Sequence, residues 1–134
     1  MTESLVDTDI LSFYFKGEPK VVEAFTIYLN EYDRLNTSII TYFEIFGGLT
    51  YKDASRQLKE LEDFATNNNI IHISEESARI SGAIYADLRR KGIVIGTSDL
   101  LIAGIAIEND LMLITNNHRH FQPIQGLKIG NWMM

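Results

Sequence analysis

The sequence predicts an α/β fold with a mainly parallel central sheet of about four to five strands flanked by helices. Short apolar runs at Leu5–Val6, Ile70–Ile73 and Leu111–Thr115 alternate with longer stretches whose apolar residues recur every three or four positions. Strands and helices that alternate in this way are accommodated by parallel pairing through right-handed crossovers. The first apolar run also ends in carboxylates, in Ser4-Leu5-Val6-Asp7-Thr8-Asp9-Ile10-Leu11. In an open α/β sheet, ligands gather outside the carboxyl ends of the strands, so Asp7 is placed for chemistry.

After that strand, Ile10–Phe15 is densely apolar and reads as a short helix stopped by Lys16-Gly17-Glu18-Pro19. Val22, Phe25, Ile27 and Leu29 recur at roughly helical spacing, which predicts a second helix over Val21–Tyr32. Leu35–Asn36 is a candidate second strand. Thr37 and Ser38 can cap a third helix running from Ile39 to a stop at Gly47-Gly48. Leu58, Leu61, Phe64 and Ala65 give Tyr51–Asn67 an amphipathic pattern, broken by Asn67-Asn68-Asn69.

Ile70–Ile73 is the next strand, with His72 within it. Ser74 then caps a long helix that carries Glu75 and Glu76 in its first turn and Arg89-Arg90-Lys91 in its last, as the helix dipole favours. Its expected core stripe is Ala78, Ile80, Ile84, Tyr85 and Leu88. Beyond Gly92 and a connection at Ile93–Gly96, Leu100–Ile107 is apolar all round, which predicts a buried helix. Leu111–Thr115 is a strand, Asn116–Gln122 a turn, and Leu127–Ile129 a candidate edge strand.

A chain of 134 residues has room for one domain, expected to span 1–134, and not for two. The absence of cysteine excludes a disulfide framework and a thiolate metal site, and suits an intracellular protein. No apolar run approaches the roughly 20 residues needed to cross a bilayer, and no basic segment precedes an apolar one at the N-terminus. A cytoplasmic protein with no membrane contact is expected. The net charge of −6 argues against general coating of nucleic acid, whose nonspecific affinity comes from Lys and Arg meeting phosphate. A carboxylate site can still meet phosphate through a divalent cation. Local basic groups exist at Lys16, Lys20 and Arg89-Arg90-Lys91; the last reads either as a solvated helix end or as a grip on RNA.

Asp7 ends a strand, Glu44 interrupts an apolar helix, and Asp99 opens the all-apolar helix behind Thr97-Ser98. A lone buried carboxylate is costly unless it is hydrogen-bonded, protonated or paired with a cation. Were the three to converge, their hard oxygens would select Mg²⁺ or Mn²⁺, and the implied reaction would be phosphodiester hydrolysis. Blander explanations stand beside this. Asp7 and Asp9 can simply cap the first helix, Glu44 can belong to an exposed polar stripe with Thr37, Thr41 and Gly48, and Asp99 is favoured by the dipole of its helix. The histidines show no metal-ligand spacing, since His118 and His120 are two apart and cannot share a helix face.

In order and spacing, four segments resemble the PIN-domain family, specifically the VapC toxin ribonucleases of VapBC toxin–antitoxin pairs. They are Leu5–Leu11; Thr41-Tyr42-Phe43-Glu44-Ile45-Phe46-Gly47-Gly48; Ser98–Ala103; and Leu113-Ile114-Thr115-Asn116-Asn117, followed by Phe121, Ile124, Gly126-Leu127 and Asn131-Trp132. The resemblance implies a PIN-like three-layer fold and a metal-dependent ribonuclease. Asp7, Glu44 and Asp99 match the family's acidic metal ligands, and Asn117 matches its fourth acidic position with a neutral oxygen, which favours one tightly held Mg²⁺ or Mn²⁺. Asp9 stands where Asn is common and restores some charge. Thr8, Ser98 and Thr115 are expected to support the ligands or face phosphate.

The resemblance also implies an RNA substrate, a homodimer, a VapB-type antitoxin, and contact with DNA only through that antitoxin. Tyr42, Phe43, Ile45, Phe46, Leu49, Tyr51, Leu58 and Leu61 offer more apolar surface than one small core needs, compatible with a groove for an amphipathic partner or with plain core packing. Two other functions remain open at this point. Asp7-Thr8-Asp9 is similar to the Asp-x-Asp of haloacid-dehalogenase phosphatases, although no later Lys or Gly-Asp signature follows. A noncatalytic PIN scaffold that binds a partner is the other.

Overall fold

The computed structural model describes Met1–Met134. The elements run β1 (Ser4–Val6), α1 (Thr8–Phe15), α2 (Pro19–Glu31), β2 (Asn36–Ser38), α3 (Ile39–Tyr51), α4 (Ser55–Asn67), β3 (Asn69–Ile71), α5 (Glu75–Arg90), α6 (Thr97–Glu108), β4 (Met112–Ile114), α7 (His118–Phe121) and β5 (Ile129–Gly130). The five strands are all parallel, in the order β3-β2-β1-β4-β5. β1 is central, and the strand order turns back on either side of it. This is the position at which a doubly wound sheet opens a crevice at its carboxyl edge.

Alternation along the two central strands divides the interior into two cores. Leu5 and Leu113 point to one face, where they meet Leu88 of α5, Leu100, Ile102 and Ile105 of α6, and Phe121 of α7. Val6 and Ile114 point to the other, against Ile10, Leu11, Phe25, Tyr28, Ile45, Leu61 and Phe64 of α1 to α4. The result is helix, sheet, helix, the three-layer arrangement expected. Trp132 closes the second core by lying edge-on to Phe25, with ring centroids 5.3 Å apart. No helix is long and apolar enough to cross a membrane.

Several boundaries differ from the sequence reading, each for a local reason. α3 does not stop at Gly47-Gly48 but runs through them to Tyr51, so α4 begins only at Ser55. Helical backbone costs Gly about 1 kcal/mol without forbidding it, and the actual stop comes at Asp53, with φ +53°. β2 is Asn36–Ser38 rather than Leu35–Asn36, and its polar side chains are buried because they have partners. Thr37 Oγ1 donates to Val6 O at 2.7 Å, Asn36 Nδ2 donates to Ser4 O at 3.1 Å, and Ser38 Oγ caps α3 by accepting from the Thr41 N–H at 3.0 Å.

β3 ends at Ile71, leaving His72 exposed beyond it. The turn after β4 contains the short helix α7, and the edge strand lies at Ile129–Gly130. On α5 the buried face is Ser77, Ser81 and Leu88, with Ala78 and Tyr85 exposed. Small serines lie inward because α6 approaches closely. A Cβ built on Gly104 would stand 2.0 Å from Ser81 Oγ and 2.5 Å from Ser77 O, and Ser81 Oγ donates to Leu100 O at 2.7 Å.

This contact sets a stability test. Gly104→Ala is expected to cost about 3 kcal/mol or more, because the backbone of α5 must move aside. Gly82→Ala, at an α5 position with nothing within 4 Å, is expected to gain up to about 1 kcal/mol. Urea-denaturation midpoints of the two variants check both signs.

Candidate active site at the carboxyl edge of the sheet

The chain passes from β1 into α1 with no intervening loop, so Asp7 is at once the strand's last neighbour and the N-cap of the helix. Its N–H still belongs to the sheet, donating to Ile114 O at 2.9 Å. Its carboxylate is held at both oxygens: Oδ1 accepts from the Thr8 N–H at 2.8 Å and Oδ2 from Thr115 Oγ1 at 2.8 Å. Thr115 directly follows β4, the neighbour of β1, so the parallel register brings the two together. The capping and functional readings of Asp7 are therefore compatible.

Asp7 is only 6% exposed. Burial, then the charge of Asp9 and to a lesser degree that of Asp99, pushes its carboxyl up to about 7, against the hydrogen bonds from Thr115 and Thr8. None of the groups acting on it most strongly is a cation. Asp9 is half-buried and also raised, chiefly by burial; it accepts from the Ile10 N–H at 2.7 Å and the Asn116 N–H at 3.0 Å. Two neighbouring carboxylates thus sit where their negative charge is disfavoured.

Glu44 reaches the same edge from α3 and is more than an exposed stripe. The Thr8 hydroxyl donates to Glu44 Oε1 at 2.6 Å and, its own proton so used, accepts from Thr41 Oγ1 at 3.0 Å. Asp99 lies in the first turn of α6, half-buried beside half-buried Ser98, with Oδ2 2.7 Å from His120 Nε2. Asn117 is exposed, and its N–H donates to Thr115 Oγ1 at 3.0 Å. One threonine hydroxyl therefore joins the Asn117 backbone to the Asp7 carboxylate.

The structure brings Asp7, Asp9, Thr8 and Thr115 into direct contact or immediate sequence, links Glu44 to them through Thr8, and couples Asp99 to Asp7 through its charge. As they stand, no three acidic or histidine side chains form a single metal-ligand cluster, because Glu44 is turned to Thr8 and Asp99 to His120. The donor set is nonetheless one of hard oxygens around a carboxylate raised by burial and by like charges. That is the environment a hard divalent cation relieves.

Beside Thr8 and Glu44 opens a groove of about 580 Å³ whose wall includes Lys16, Lys52 and Arg56. Of the basic residues predicted from sequence, Lys16 is thus near the site. In the triplet, Lys91 pairs with Asp87 at 3.1 Å, Arg89 lies 5.8 Å from the Tyr85 ring centre, and Arg90 is exposed. Sequence reasoning missed Lys52, Arg56 and His120, which nothing in their local pattern singles out. Thr41 carried a signal, being three residues before Glu44 on one helix face.

With this geometry in view, the family model for the PIN domain matches residues 4–126. The chain belongs to the PIN-domain family, among its VapC members. It is 32% identical over 134 residues to the tRNA(fMet)-specific endonuclease VapC of Salmonella typhimurium, covering 98% of this chain and 99% of that one. It is 31% identical over 132 residues to ribonuclease VapC1 of Haemophilus influenzae, covering 96% of each. The DNA-bound VapBC structure from Salmonella typhimurium contains a chain that superposes with a TM-score of 0.87 at 32% identity, over 98% of this chain and 99% of that one. VapBC2 from Rickettsia felis, bound to a promoter DNA fragment, gives 0.85 at 28% identity, over 96% and 98%. The sheet and its flanking helices are those of this family.

The raised Asp7 carboxyl contributes to the pH dependence of stability. An acid whose folded pKa lies above its unfolded value destabilises the fold as it ionises. In EDTA the ionisation of Asp7 is therefore expected to remove stability as pH rises from 4 to 7, by an amount on the order of 2–4 kcal/mol at 1.36 kcal/mol per pKa unit. Asp7→Asn should flatten that slope and be the more stable protein at pH 8. Thermal melts of both proteins across the pH range check it; a Tm difference between Asp7→Asn and wild type that stays constant from pH 4 to 8 contradicts it.

Proposed function

We propose that this VapC-family chain is the toxin of a toxin–antitoxin pair and a ribonuclease that hydrolyses RNA phosphodiester bonds with Mg²⁺ or Mn²⁺. The observation that carries the metal-dependent reading is Asp7, a buried carboxylate at the carboxyl edge of β1, raised to about 7 among other carboxylates. The curated relatives named ribonuclease and endonuclease, aligned end to end with this chain, support the same activity. The match over 4–126 sets aside the phosphatase alternative raised by Asp7-Thr8-Asp9.

In this reading Asp7, Glu44 and Asp99 are the catalytic ligands, Asp9 adds negative charge, and Asn117 contributes a neutral, weaker oxygen. The bound cation supplies Lewis-acid activation of water and neutralisation of phosphate charge. The chain's own contribution is arrangement. Thr115 and the Thr8 N–H hold Asp7 in one orientation, and Thr8, itself bonded to Thr41, holds Glu44. Half-buried Ser98 lies at the edge where phosphate oxygens would pass. Thr115, fully buried with its hydroxyl engaged by Asp7 and the Asn117 N–H, supports the carboxylate and does not face phosphate. Lys16, with Lys52 and Arg56 along the groove, would meet the RNA backbone; Arg90 and its neighbours Arg89 and Lys91 would add reach at the end of α5.

Solved VapBC relatives support a VapB-type antitoxin as partner, with DNA met through it. Phe43, Phe46 and Tyr51 on α3 are 70%, 46% and 89% exposed, an apolar surface suited to an amphipathic antitoxin segment, whereas Ile45 and Leu61 of the same expected set are core. A homodimer and a cytoplasmic location complete the proposal.

Total cellular RNA incubated with the purified chain is expected to give discrete products with Mg²⁺ or Mn²⁺ and none with EDTA. Asp7→Asn should reduce cleavage by about 100-fold or more, as loss of a principal electrostatic group does. A folded wild-type protein that neither binds Mn²⁺ nor cuts RNA would instead establish the noncatalytic scaffold.

A further inference from the structure

Asn116 and Asn131 stand together at the carboxyl edge, and neither side chain helps to hold a site carboxylate. β5 runs beside β4 with Gly130 opposite Ile114, and the Thr115 N–H donates to Gly130 O at 2.9 Å, so the chain leaves both strands with the two asparagines as neighbours. Asn131 Nδ2 donates to Asn116 Oδ1 at 2.9 Å. The backbone decides which end of each amide points where. The Met133 N–H donates to Asn131 Oδ1 at 2.9 Å, and a backbone N–H can only donate. Asn131 must therefore turn its NH₂ towards Asn116, and Asn116 must answer with its oxygen. Trp132, packed against Phe25 and Tyr28 with ring centroids 5.3 and 5.6 Å apart, holds the backbone beside Asn131. On its other side Asn116 is fixed by its own N–H, which donates to Asp9 Oδ2 at 3.0 Å.

We propose that the Asn116 amide contacts the substrate, donating from Nδ2 to a phosphate oxygen of the RNA, and that Asn131 is the positioning residue that keeps this NH₂ turned outwards. The inference rests on the ribonuclease reading above. Asn116 is exposed, its Nδ2 has no partner within the chain and its oxygen is taken, so what it offers is a pair of N–H donors. Reading an adenine edge needs the oxygen and the NH₂ of one amide together, which the bond from Asn131 obstructs, whereas a phosphate takes donors alone. The place also suits a neutral donor. Asn116 is bonded to Asp9 and directly follows Thr115, the partner of Asp7, so it borders the carboxylates. A Lys or Arg there would offset the negative charge that a metal cation is to meet, and an amide grips phosphate without doing so. The cationic side chains Lys16, Lys52 and Arg56 lie instead along the groove beside Thr8 and Glu44.

The apparent KM of the full chain for total cellular RNA with Mn²⁺, followed at one discrete product, tests the proposal. Asn116→Ala keeps the backbone N–H to Asp9 and is expected to raise KM roughly 10-fold with kcat nearly unchanged, as loss of one hydrogen bond to a charged group does. Two further variants keep the bond between the side chains and so separate a contact with RNA from a mere tie between loop and tail. In Asn116→Asp an oxygen replaces the outward NH₂ and repels phosphate, so KM rises further. In Asn131→Asp the carboxylate still accepts from the Met133 N–H but can no longer donate, so the Asn116 amide turns over and presents its oxygen. KM then rises about as much as in Asn116→Ala, although Asn116 is intact. Mn²⁺ binding, followed by electron paramagnetic resonance, should match the wild type in Asn116→Ala and Asn131→Asp. A wild-type KM in Asn116→Ala, or in both aspartate variants, would overturn the proposal. So would weakened Mn²⁺ binding in Asn116→Ala, which would assign the amide to the metal site, or a changed set of products, which would assign it to a base. Thermal melts identify a variant that has lost its fold; should Asn131→Asp do so, the two Asn116 variants decide. A wild type that cuts no RNA fails the ribonuclease reading and this proposal with it, whereas cleavage that Asn116→Ala leaves unaltered fails this proposal alone.

Discussion

The structure depends on keeping a carboxylate where water is nearly excluded, at the junction of β1 and α1. Asp7 gives its N–H to the sheet, its Oδ1 to the first turn of α1 and its Oδ2 to Thr115. Each bond ties it to a different element, so the register of β1 against β4, the start of α1 and the exit of β4 are all specified at one side chain. A hydrogen-bonded carboxylate is tolerable in such a place, but two oxygens with one partner each are not the equal of hydration. The residual cost appears as a carboxyl raised to about 7, and like charges at Asp9 and Asp99 add to it. A fold that keeps such a group bears a cost in stability of the kind that functional sites commonly carry.

Threonine hydroxyls carry the organisation around it. Thr115 accepts from Asn117 and donates to Asp7; Thr8 donates to Glu44 and accepts from Thr41; Thr37 donates to Val6 O on the strand beneath. A hydroxyl can donate and accept at once, which lets one small residue connect two elements without adding charge. Serine and threonine are therefore buried at the carboxyl edge although neither core is polar. Every buried side-chain polar atom has a partner. The hydrogen-bonded layer between the two cores leaves the carboxylates as the part of the edge whose charge remains uncompensated.

Net charge and local charge pull in different directions in this protein. The chain carries −6 overall, which disfavours loose attachment to nucleic acid. Lys16, Lys52 and Arg56 nevertheless share one groove that opens beside Thr8 and Glu44. Lys16 and Lys52 directly follow α1 and α3 and Arg56 lies in α4, and they meet only because α3 runs on through its two glycines before the chain turns at Asp53. A helix that had stopped at Gly47 would have put Lys52 elsewhere.

Local pattern in the sequence was enough for the parallel α/β class, the all-apolar α6, the Ser74 cap of α5 and the placing of Asp7 at the end of a strand. Strand and helix periods and strand-end carboxylates are properties of neighbouring residues. It did not reveal that α3 tolerates Gly47-Gly48, that Asn36-Thr37-Ser38 forms a buried strand, or that Ser77 and Ser81 face inward beneath Gly104, since each depends on a partner distant in sequence. The same limit applied at the site. His120 lies 21 positions from Asp99, and Thr115 lies 108 from Asp7. Which residues carry charge and could bear chemistry was determined by the sequence alone. Which oxygens are held, by whom, and which carboxylate is raised by its neighbours was decided only when parallel pairing of β1 and β4 brought their carboxyl ends side by side.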